Sequence, residues 1–174
     1  VRALGVVVEE LDEDTLCVSG KGLRGLVGPG RAIDCRNAGT LVRLLAGILA
    51  GQEGQRFELT GDESLSARPM RRVTEPLGNM GAAVETVDGH LPMVVQGRPL
   101  HGIDYELPVA SAQVKSAILL AGLYADGETT VVEPAPTRDH TELMLEAAGA
   151  RIVRRPTSVT VWPAERLELG EIEV

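Results

Sequence analysis

The amino-acid sequence predicts a mixed α/β (α+β) fold built from a repeated unit of strand, helix, strand, helix and two strands (βαβαββ). Short runs rich in β-branched residues alternate with longer runs whose apolar residues recur at helical spacing. Segments of the first half recur in the second half at an offset of about 68 to 75 residues, which is too long for a solenoid repeat and suits a supersecondary unit. Glycine and proline separate these runs, as expected for turns and loops.

Three pairs of segments carry the repeat. They are Leu44–Gly47 with Leu119–Gly122, Gly81-Ala82 with Gly149-Ala150, and the four residues from Gly102 with the four residues from Gly170. Two complete units are expected at approximately 31–97 and 98–163, with partial units at 1–30 and 164–174. Because the pattern is cut at both ends and the chain begins with Val1, we expect residues 1–174 to form a single incomplete lobe.

Composition restricts the class of partner. Hydrophobic residues make up 44% and charged residues 24% of the 174 residues, which is typical of a globular protein with a real core. Aromatic residues make up only 2%, and the net charge is −8, so we expect no nucleic-acid partner. No apolar run is long enough to cross a membrane, and we expect no membrane partner. Cys17 and Cys35 form no metal-binding pattern with the histidines, which indicates no metal site and a reduced, cytoplasmic protein.

The first unit follows a predicted hairpin of Leu4–Glu9 and Thr15–Ser19. Asn37 is a strong capping residue and precedes a helix. The apolar residues of that helix recur at i, i+3, i+4, i+7 and i+8, which predicts one core-facing side. These residues are Leu41, Leu44, Leu45, Ile48 and Leu49.

The rest of the first unit is predicted as a strand at Gln55–Thr60, a loop at Gly61–Ala67 and a helix that begins near Pro69. That helix places Met70, Val73, Leu77 and Met80 on one face and ends at Gly81. Two strands close the unit, at Ala83–Val87 and Met93–Gln96, around the turn Asp88-Gly89.

The second unit is predicted to repeat this order. A strand at Ile103–Pro108 precedes a helix that Ser111 caps and that runs to about Tyr124. This helix is nearly apolar all round, which indicates burial on several sides. A strand follows at Thr129–Glu133. Asp139 and Glu142 fit a capping box at the start of the next helix. The closing strands are Arg151–Arg155 and Val159–Trp162.

Four predicted helix starts occupy equivalent places in the two units, and each has a polar or cationic residue beside it. They are Asn37-Ala38-Gly39-Thr40, Ser66-Ala67-Arg68-Pro69, Ser111-Ala112-Gln113 and Thr137-Arg138-Asp139. Free N–H groups and the helix dipole attract anions at such ends, and arginine matches phosphate and carboxylate geometry. If the units pack side by side, these ends form one anion-binding surface. The alternative for each arginine alone is a solvated surface ion pair.

Four ordered segments resemble the 5-enolpyruvylshikimate-3-phosphate (EPSP) synthase family. They are Asn37-Ala-Gly-Thr with Arg43, Leu59-Thr-Gly-Asp-Glu-Ser-Leu-Ser-Ala-Arg-Pro-Met70, Pro108-Val-Ala-Ser-Ala-Gln-Val-Lys-Ser-Ala117, and Arg138-Asp-His-Thr-Glu142. The resemblance implies the enolpyruvyl transferase fold, in which each of two lobes has three such units with helices inside sheets. The chain is similar to the larger part of the N-terminal lobe, and the active site is expected in the cleft between lobes.

The resemblance also implies an activity, namely transfer of the carboxyvinyl (enolpyruvyl) group of phosphoenolpyruvate to the 5-hydroxyl of shikimate 3-phosphate, with release of phosphate. This is a step of the shikimate pathway of aromatic amino-acid biosynthesis and the target of glyphosate. No metal or organic cofactor is implied. The implied partners are these two small-molecule substrates and the C-terminal lobe of the same enzyme.

The resemblance assigns roles to residues by motif position. Phosphoenolpyruvate binding is implied for Gly39, Arg68 and Gln113, and shikimate 3-phosphate binding for Ser111, Ala112, Gln113 and Arg138. Supporting roles are implied for Asn37, Thr40, Arg43 and Thr137. No catalytic residue is assigned within the chain, because the family's N-terminal lysine-serine-arginine segment and the proton-transfer residues of the second lobe have no counterpart here. The chain alone is therefore expected to be inactive.

One departure and two alternatives remain. The family usually has Gly where Arg36 stands, which puts the local backbone in question. The related UDP-N-acetylglucosamine enolpyruvyl transferase uses a cysteine shortly before an Arg-Pro pair; Glu63 holds that place here, which disfavours it. The chain could also be a non-catalytic repeat domain that binds anions, and selectivity for shikimate 3-phosphate over inorganic phosphate separates that reading from an enzyme lobe.

Overall fold

A computed structural model of the chain describes residues 1–169. After a short 3₁₀ turn at Arg2–Leu4 come ten strands and five helices. In chain order they are β1 (Val7–Glu10), β2 (Leu16–Ser19), β3 (Ile33–Asp34), α1 (Gly39–Ala50), β4 (Arg56–Thr60), α2 (Glu63–Ser66), α3 (Arg71–Asn79), β5 (Ala83–Val87), β6 (His90–Gln96), β7 (Asp104–Glu106), α4 (Ala112–Gly122), β8 (Thr129–Val132), α5 (His140–Ala147), β9 (Ile152–Arg155) and β10 (Ser158–Val161). The last predicted partial unit, 164–174, extends beyond the described residues, and Gly170 lies outside them.

The two four-stranded sheets have the same topology. The first has the strand order β3-β4-β6-β5 and the second has the order β7-β8-β10-β9. In each sheet the first two strands are parallel and the other pairs are antiparallel. A helix joins the parallel strands, as a parallel connection requires. The predicted βαβαββ repeat is confirmed, and the predicted N-terminal hairpin is present as β1 and β2.

The first long helix of each unit lies between the two sheets. The helices α1 and α4 pack against each other, α1 packs on β6 of the first sheet, and α4 packs on β8 and β10 of the second. Their approach is close at Gly47, where a Cβ atom would lie 2.2 Å from the carbonyl oxygen of Ala117. Glycine is therefore needed at position 47 because the backbone of the partner helix occupies the space of a side chain.

The core is aliphatic, as the low aromatic content predicts. The predicted face of α3 is confirmed, since Met70, Val73, Leu77 and Met80 are all at most 1% exposed. The helix α4 is buried along almost its whole length, as its nearly apolar sequence indicates. Among the described residues, no helix combines the length and the apolar character required to span a membrane.

The predicted core face of α1 is confirmed for Leu45, Ile48 and Leu49 and is wrong for Leu41. Leu49 is fully buried, and the partly buried Leu45 and Ile48 pack against the core, whereas Leu41 is 46% exposed. The buried face of the helix consists mainly of small residues, Gly39, Val42, Ala46, Gly47 and Ala50, together with Leu49. Small side chains are needed on the side that faces α4 because that helix packs so closely, and the buried face therefore extends beyond the residues that the leucine periodicity predicts.

Three local predictions near helix starts also require correction. Asn37 does not cap α1; Ala38 occupies the cap position, and the Asn37 side chain instead accepts a hydrogen bond from Arg68. The predicted loop at Gly61–Ala67 contains the short helix α2, which Asp62 caps by accepting from the Leu65 N–H at 2.8 Å. Asp139 precedes α5 as predicted, but no capping box forms, because the Glu142 carboxylate points inward to Lys115.

Candidate functional site

The N-terminal ends of α1 and α4 are joined by a chain of side-chain hydrogen bonds. The Gln113 Nε2 atom donates to the Thr40 Oγ1 atom at 2.8 Å, so the first turns of the two helices touch. The Arg43 Nη1 atom donates to Gln113 Oε1 at 2.9 Å and to the Gly39 carbonyl oxygen at 3.1 Å. Both ends of the Gln113 amide are therefore hydrogen-bonded to α1, and these two bonds fix the orientation of the side chain.

Arg68 reaches the same place from the segment between α2 and α3. Its Nη2 atom donates to Asn37 Oδ1 at 2.6 Å and lies 3.4 Å from Ser64 Oγ. Gly39 lies between this guanidinium and that of Arg43: a Cβ atom at position 39 would be 2.9 Å from an Nη1 atom of each arginine. The missing side chain of Gly39 thus allows two cationic groups to approach one helix start.

A first cavity, here called the arginine cleft, opens beside these groups with a volume of about 320 Å³. It is lined by Arg43, Arg68, Pro69, Arg72, Ser111, Gln113 and Val114. Burial, together with the positive charges of Arg68 and Arg72, lowers the pKa of the Arg43 guanidinium. Within residues 1–169 no carboxylate pairs with Arg43, Arg68 or Arg72. Three cations without a counter-ion favour an anionic ligand.

A second cavity of about 170 Å³, here called the Arg138 cavity, lies on the other side of Gln113. It is lined by Thr40, Leu44, Ala112, Gln113, Ser116, Arg138, His140 and Thr141. Ser111 caps α4 by accepting from the Val114 N–H at 3.4 Å, as predicted. The cavity therefore combines the start of α4 with an arginine, which is the combination that suits a phosphate group.

A buried charge cluster lines a third cavity, of about 210 Å³, beside the segment that carries Arg138. The Lys115 Nζ atom is 2.9 Å from Glu133 Oε2 and 2.5 Å from Glu142 Oε1, and all three side chains are at most 6% exposed. Thr137 donates a hydrogen bond to the other oxygen of Glu133. This cluster was not predicted from the sequence, although a lysine within the mostly apolar run of α4 is a signal that a buried partner is required.

Seven of the ten sequence-predicted site residues line one or both of the first two cavities, and the other three lie beside them. Those that line the arginine cleft, the Arg138 cavity or both are Arg43, Arg68, Ser111, Gln113, Thr40, Ala112 and Arg138. Gly39 and Asn37 position Arg43 and Arg68. Thr137 lines neither cavity and lies against Glu133.

Arg36 has the conformation that glycine favours. Its φ angle is +49°, in the left-handed region. The Arg36 N–H donates to Asp34 Oδ1 at 2.8 Å, and its carbonyl oxygen accepts from the Asp62 N–H at 2.9 Å. These two hydrogen bonds hold the strained residue in place just before the start of α1.

Comparison with known proteins identifies a single family. The model of the EPSP synthase (3-phosphoshikimate 1-carboxyvinyltransferase) family matches residues 1–174. A 3-phosphoshikimate 1-carboxyvinyltransferase of Acidithiobacillus ferrooxidans is 57% identical over 153 residues, 88% of this chain and 35% of that protein. The enzyme of the same name from Alkalilimnicola ehrlichii is 54% identical over 99% of this chain and 39% of its own length. The chain thus spans less than half the length of these curated relatives.

Solved structures agree with the family match. EPSP synthase from Acinetobacter baumannii superposes with a TM-score of 0.91 at 44% identity, covering 97% of this chain and 38% of that one. The enolpyruvyl transferase NikO from Streptomyces tendae, at 22% identity and a TM-score of 0.55, shares the fold. The chain belongs to the EPSP synthase (3-phosphoshikimate 1-carboxyvinyltransferase) family.

Proposed function

We propose that this chain is part of a 3-phosphoshikimate 1-carboxyvinyltransferase and supplies one wall of its substrate site. The single observation that carries the proposal is the pair of cavities on either side of Gln113, both at helix starts and both with arginines that lack a counter-ion within residues 1–169. Two separate anion sites that share one oriented amide suit a reaction between two anionic substrates. The family match and the names of the relatives support the same activity.

Shikimate 3-phosphate is assigned to Ser111, Ala112, Gln113 and Arg138. Three of these residues line the Arg138 cavity, and Ser111 lies at the border with the arginine cleft, which it lines. The Arg138 cavity combines an arginine, the hydroxyl groups of Thr40 and Ser116 and the first turn of α4, which supports an assignment of the phosphate group to it. Gln113, which borders both cavities, is assigned to contact both ligands.

Phosphoenolpyruvate is assigned to the arginine cleft, with Arg68 as the residue that grips it and Gly39 as the residue that leaves room for it. The distances from Gly39 to both guanidiniums support this role, because any side chain there would displace the cations. Asn37, Thr40 and Arg43 are assigned to positioning. Thr137 is assigned a supporting role through Glu133.

In the proposed reaction the 5-hydroxyl oxygen of shikimate 3-phosphate loses its proton and bonds to C2 of phosphoenolpyruvate while C3 gains a proton, giving a tetrahedral intermediate. The bond from C2 to the phosphate oxygen then breaks, phosphate leaves with the electron pair of that bond, and loss of a proton from C3 restores the double bond. The residues of this chain bind and orient the two anions and stabilise negative charge as it shifts towards the departing phosphate. Proton transfer is assigned to the other lobe of the enzyme, which is the proposed partner. The chain alone is expected to bind without turnover.

The same proposal includes the organisation and location of the protein. The chain is interpreted as part of one lobe, with complete units at about 31–97 and 98–163; the two sheets of equal topology support this division. A cytoplasmic location is inferred, and the two free cysteines, Cys17 and Cys35, are compatible with it.

Isothermal titration calorimetry tests the proposal directly. The chain is titrated with shikimate 3-phosphate, and inorganic phosphate and a UDP-sugar serve as control ligands. Selective binding of shikimate 3-phosphate is expected. Equal affinity for inorganic phosphate would indicate a generic anion-binding domain instead, and preference for the UDP-sugar would indicate the related UDP-N-acetylglucosamine enzyme.

A further inference from the structure

Arg138 depends on its backbone segment for its position. Within residues 1–169 its guanidinium makes no ion pair, and no hydrogen bond holds its side chain. The residue is exposed and lies in the connection between β8 and α5. Whatever fixes the two ends of this connection therefore decides where Arg138 lies relative to the Arg138 cavity.

The two ends of the connection are tied to one atom. Glu133 follows β8, Glu142 lies in the first turn of α5, and the carboxylates of both lie against the Lys115 Nζ atom, at 2.9 Å and 2.5 Å. Arg138 lies between these two glutamates in the sequence. Lys115 thus closes the segment 133–142 into a loop with Arg138 near its middle.

The same lysine ties the loop to the opposite wall of the cavity. Lys115 lies on α4 among Ala112, Gln113 and Ser116, which line the Arg138 cavity. Ser116 adds a parallel link, since its Oγ atom is 2.7 Å from the Thr141 Oγ1 atom. Two sets of contacts therefore set the width of the cavity from α4 to Arg138. Lys115 and Ser116 join α4 to the segment 133–142, and Arg154 of β9 donates to Asp139, the residue after Arg138, at 3.1 Å on a more exposed surface.

Stability alone does not account for this cluster. Removing three ionised groups from water is costly, and buried ion pairs are often no more stabilising than apolar residues of similar volume. Here Lys115 and Glu142 are each 1% exposed and Glu133 is 6% exposed. An apolar residue at position 115 would suit this mostly apolar helix, but it could not hold two carboxylates at one point. Lys115 donates a hydrogen bond to Glu133, and it holds Glu142 by charge, since neither Glu142 oxygen has a hydrogen-bond partner among the described residues.

We infer that Lys115 is a positioning residue for substrate binding: through Glu133 and Glu142 it holds Arg138 against the start of α4 at the spacing that a phosphate group requires. This inference rests on the proposed function, because it takes the phosphate of shikimate 3-phosphate as the ligand of Arg138. It adds a residue that touches no substrate and acts on affinity through Arg138.

Calorimetry compares the affinity for shikimate 3-phosphate of a charge-free variant of the cluster with that of a control variant. Lys115→Met leaves two buried carboxylates without a partner and is expected to unfold readily, so the main variant is Lys115→Met combined with Glu133→Gln and Glu142→Gln, which removes all three charges together. We expect this triple variant to bind shikimate 3-phosphate about tenfold or more weakly, the loss of roughly one hydrogen bond to a charged group. Binding of shikimate, which has no phosphate, is expected to be unchanged. Val95→Ala, in the core of the first sheet, controls for general loss of stability.

A double-mutant cycle with Arg138→Ala identifies the route of the effect. If Lys115 acts through Arg138, the triple change causes no further loss of affinity in the Arg138→Ala background. An equal loss in both backgrounds, or wild-type affinity in the triple variant, would overturn the inference.

A measurement without ligand separates this inference from the proposed function. The NMR signal of the Arg138 Nε–H group, assigned with Arg138→Ala, is expected to move in the triple variant and to stay in place in Val95→Ala. An unmoved signal overturns the positioning role. If the wild-type chain does not bind shikimate 3-phosphate but the signal moves, the positioning of Arg138 stands and the assignment of its ligand fails.

Discussion

Replacement of Gly39 by alanine should separate ligand binding from folding. The added Cβ atom would lie 2.9 Å from an Nη1 atom of both Arg43 and Arg68, closer than real Cβ contacts come. Each guanidinium must therefore withdraw by roughly 0.5 Å to reach ordinary contact distance. Losing one charge-assisted hydrogen bond to a bound anion costs about 1.5–3 kcal/mol, which corresponds to a roughly 10- to 100-fold loss of affinity.

The fold should tolerate the same change. Gly39 is helical and does not have a positive φ angle, so alanine fits the backbone, and the displaced atoms are the flexible ends of long side chains. We expect the free energy of unfolding to change by less than about 1 kcal/mol.

The assay titrates phosphoenolpyruvate into the chain in the presence of saturating shikimate 3-phosphate, with urea unfolding measured in parallel. Gly78→Ala is the matched control, because it adds the same methyl group to α3, where nothing lies within 4 Å. Wild-type affinity for phosphoenolpyruvate in Gly39→Ala, or a loss of affinity equal to that in Gly78→Ala, would refute the reasoning.

Three further predictions concern stability. Gly47→Ala places a Cβ atom 2.2 Å from the Ala117 carbonyl oxygen, and urea unfolding should show a free energy of unfolding that is lower by about 1–3 kcal/mol. In the same assay Gly78→Ala should raise the free energy of unfolding by roughly 0.5–1 kcal/mol. A Gly47→Ala variant that is more stable than Gly78→Ala would contradict the close packing of α1 on α4. Arg36→Gly relieves the +49° φ angle and should stabilise the chain by about 1 kcal/mol in the same assay, and a destabilised variant would show that the arginine side chain matters more than the backbone. Burial raises the pKa of Tyr124 to about 12, above the value of about 10 in the unfolded chain, so the folded state keeps the phenol protonated to higher pH. This difference contributes its full amount to the free energy of unfolding below pH 10, and roughly 2–3 kcal/mol is lost as the pH rises from 10 to about 12. The loss of unfolding free energy between pH 10 and 12 should be smaller in Tyr124→Phe. A loss in that variant equal to the wild-type loss would show that other groups cause it.

Much of the fold was predictable because each repeated unit is specified by local sequence patterns. The hairpin turn at Asp88-Gly89 has positive φ angles at both residues, as expected for its sequence. The α3 face with Val73 and Leu77 follows helical periodicity and packs as predicted. These elements are set by turn chemistry and by a single buried side, which a sequence displays directly.

The predictions were wrong where a contact between residues distant in the sequence determines which side chains are buried or how they are oriented. The leucines of α1 indicate one buried face, but the approach of α4 at Gly47 also buries the small residues of the helix, and Leu41 is left exposed. Glu142 has the spacing of a capping box, yet the ammonium of Lys115, a residue 27 positions earlier in the chain, draws it inward. In both cases the partner lies far away in the sequence, and periodicity carries no information about it.

The sequence indicated most of the residues that line the two cavities, but it did not indicate how these residues are placed relative to one another. Helix starts and arginines are visible in the sequence, and most of them line one of the two cavities. The role of Gln113 as the border between the cavities is not visible, because it depends on hydrogen bonds to Thr40 and Arg43, some 70 residues away.

The central claim is that the two cavities hold two different ligands, and a crossed binding experiment tests it most directly. Affinities for shikimate 3-phosphate, and for phosphoenolpyruvate at saturating shikimate 3-phosphate, are measured by calorimetry in the wild-type chain, Arg138→Ala and Arg68→Ala. We predict that Arg138→Ala weakens mainly shikimate 3-phosphate and that Arg68→Ala weakens mainly phosphoenolpyruvate, each by about tenfold or more. Equal effects of both variants on both ligands, or no binding by the folded wild-type chain, would contradict the claim.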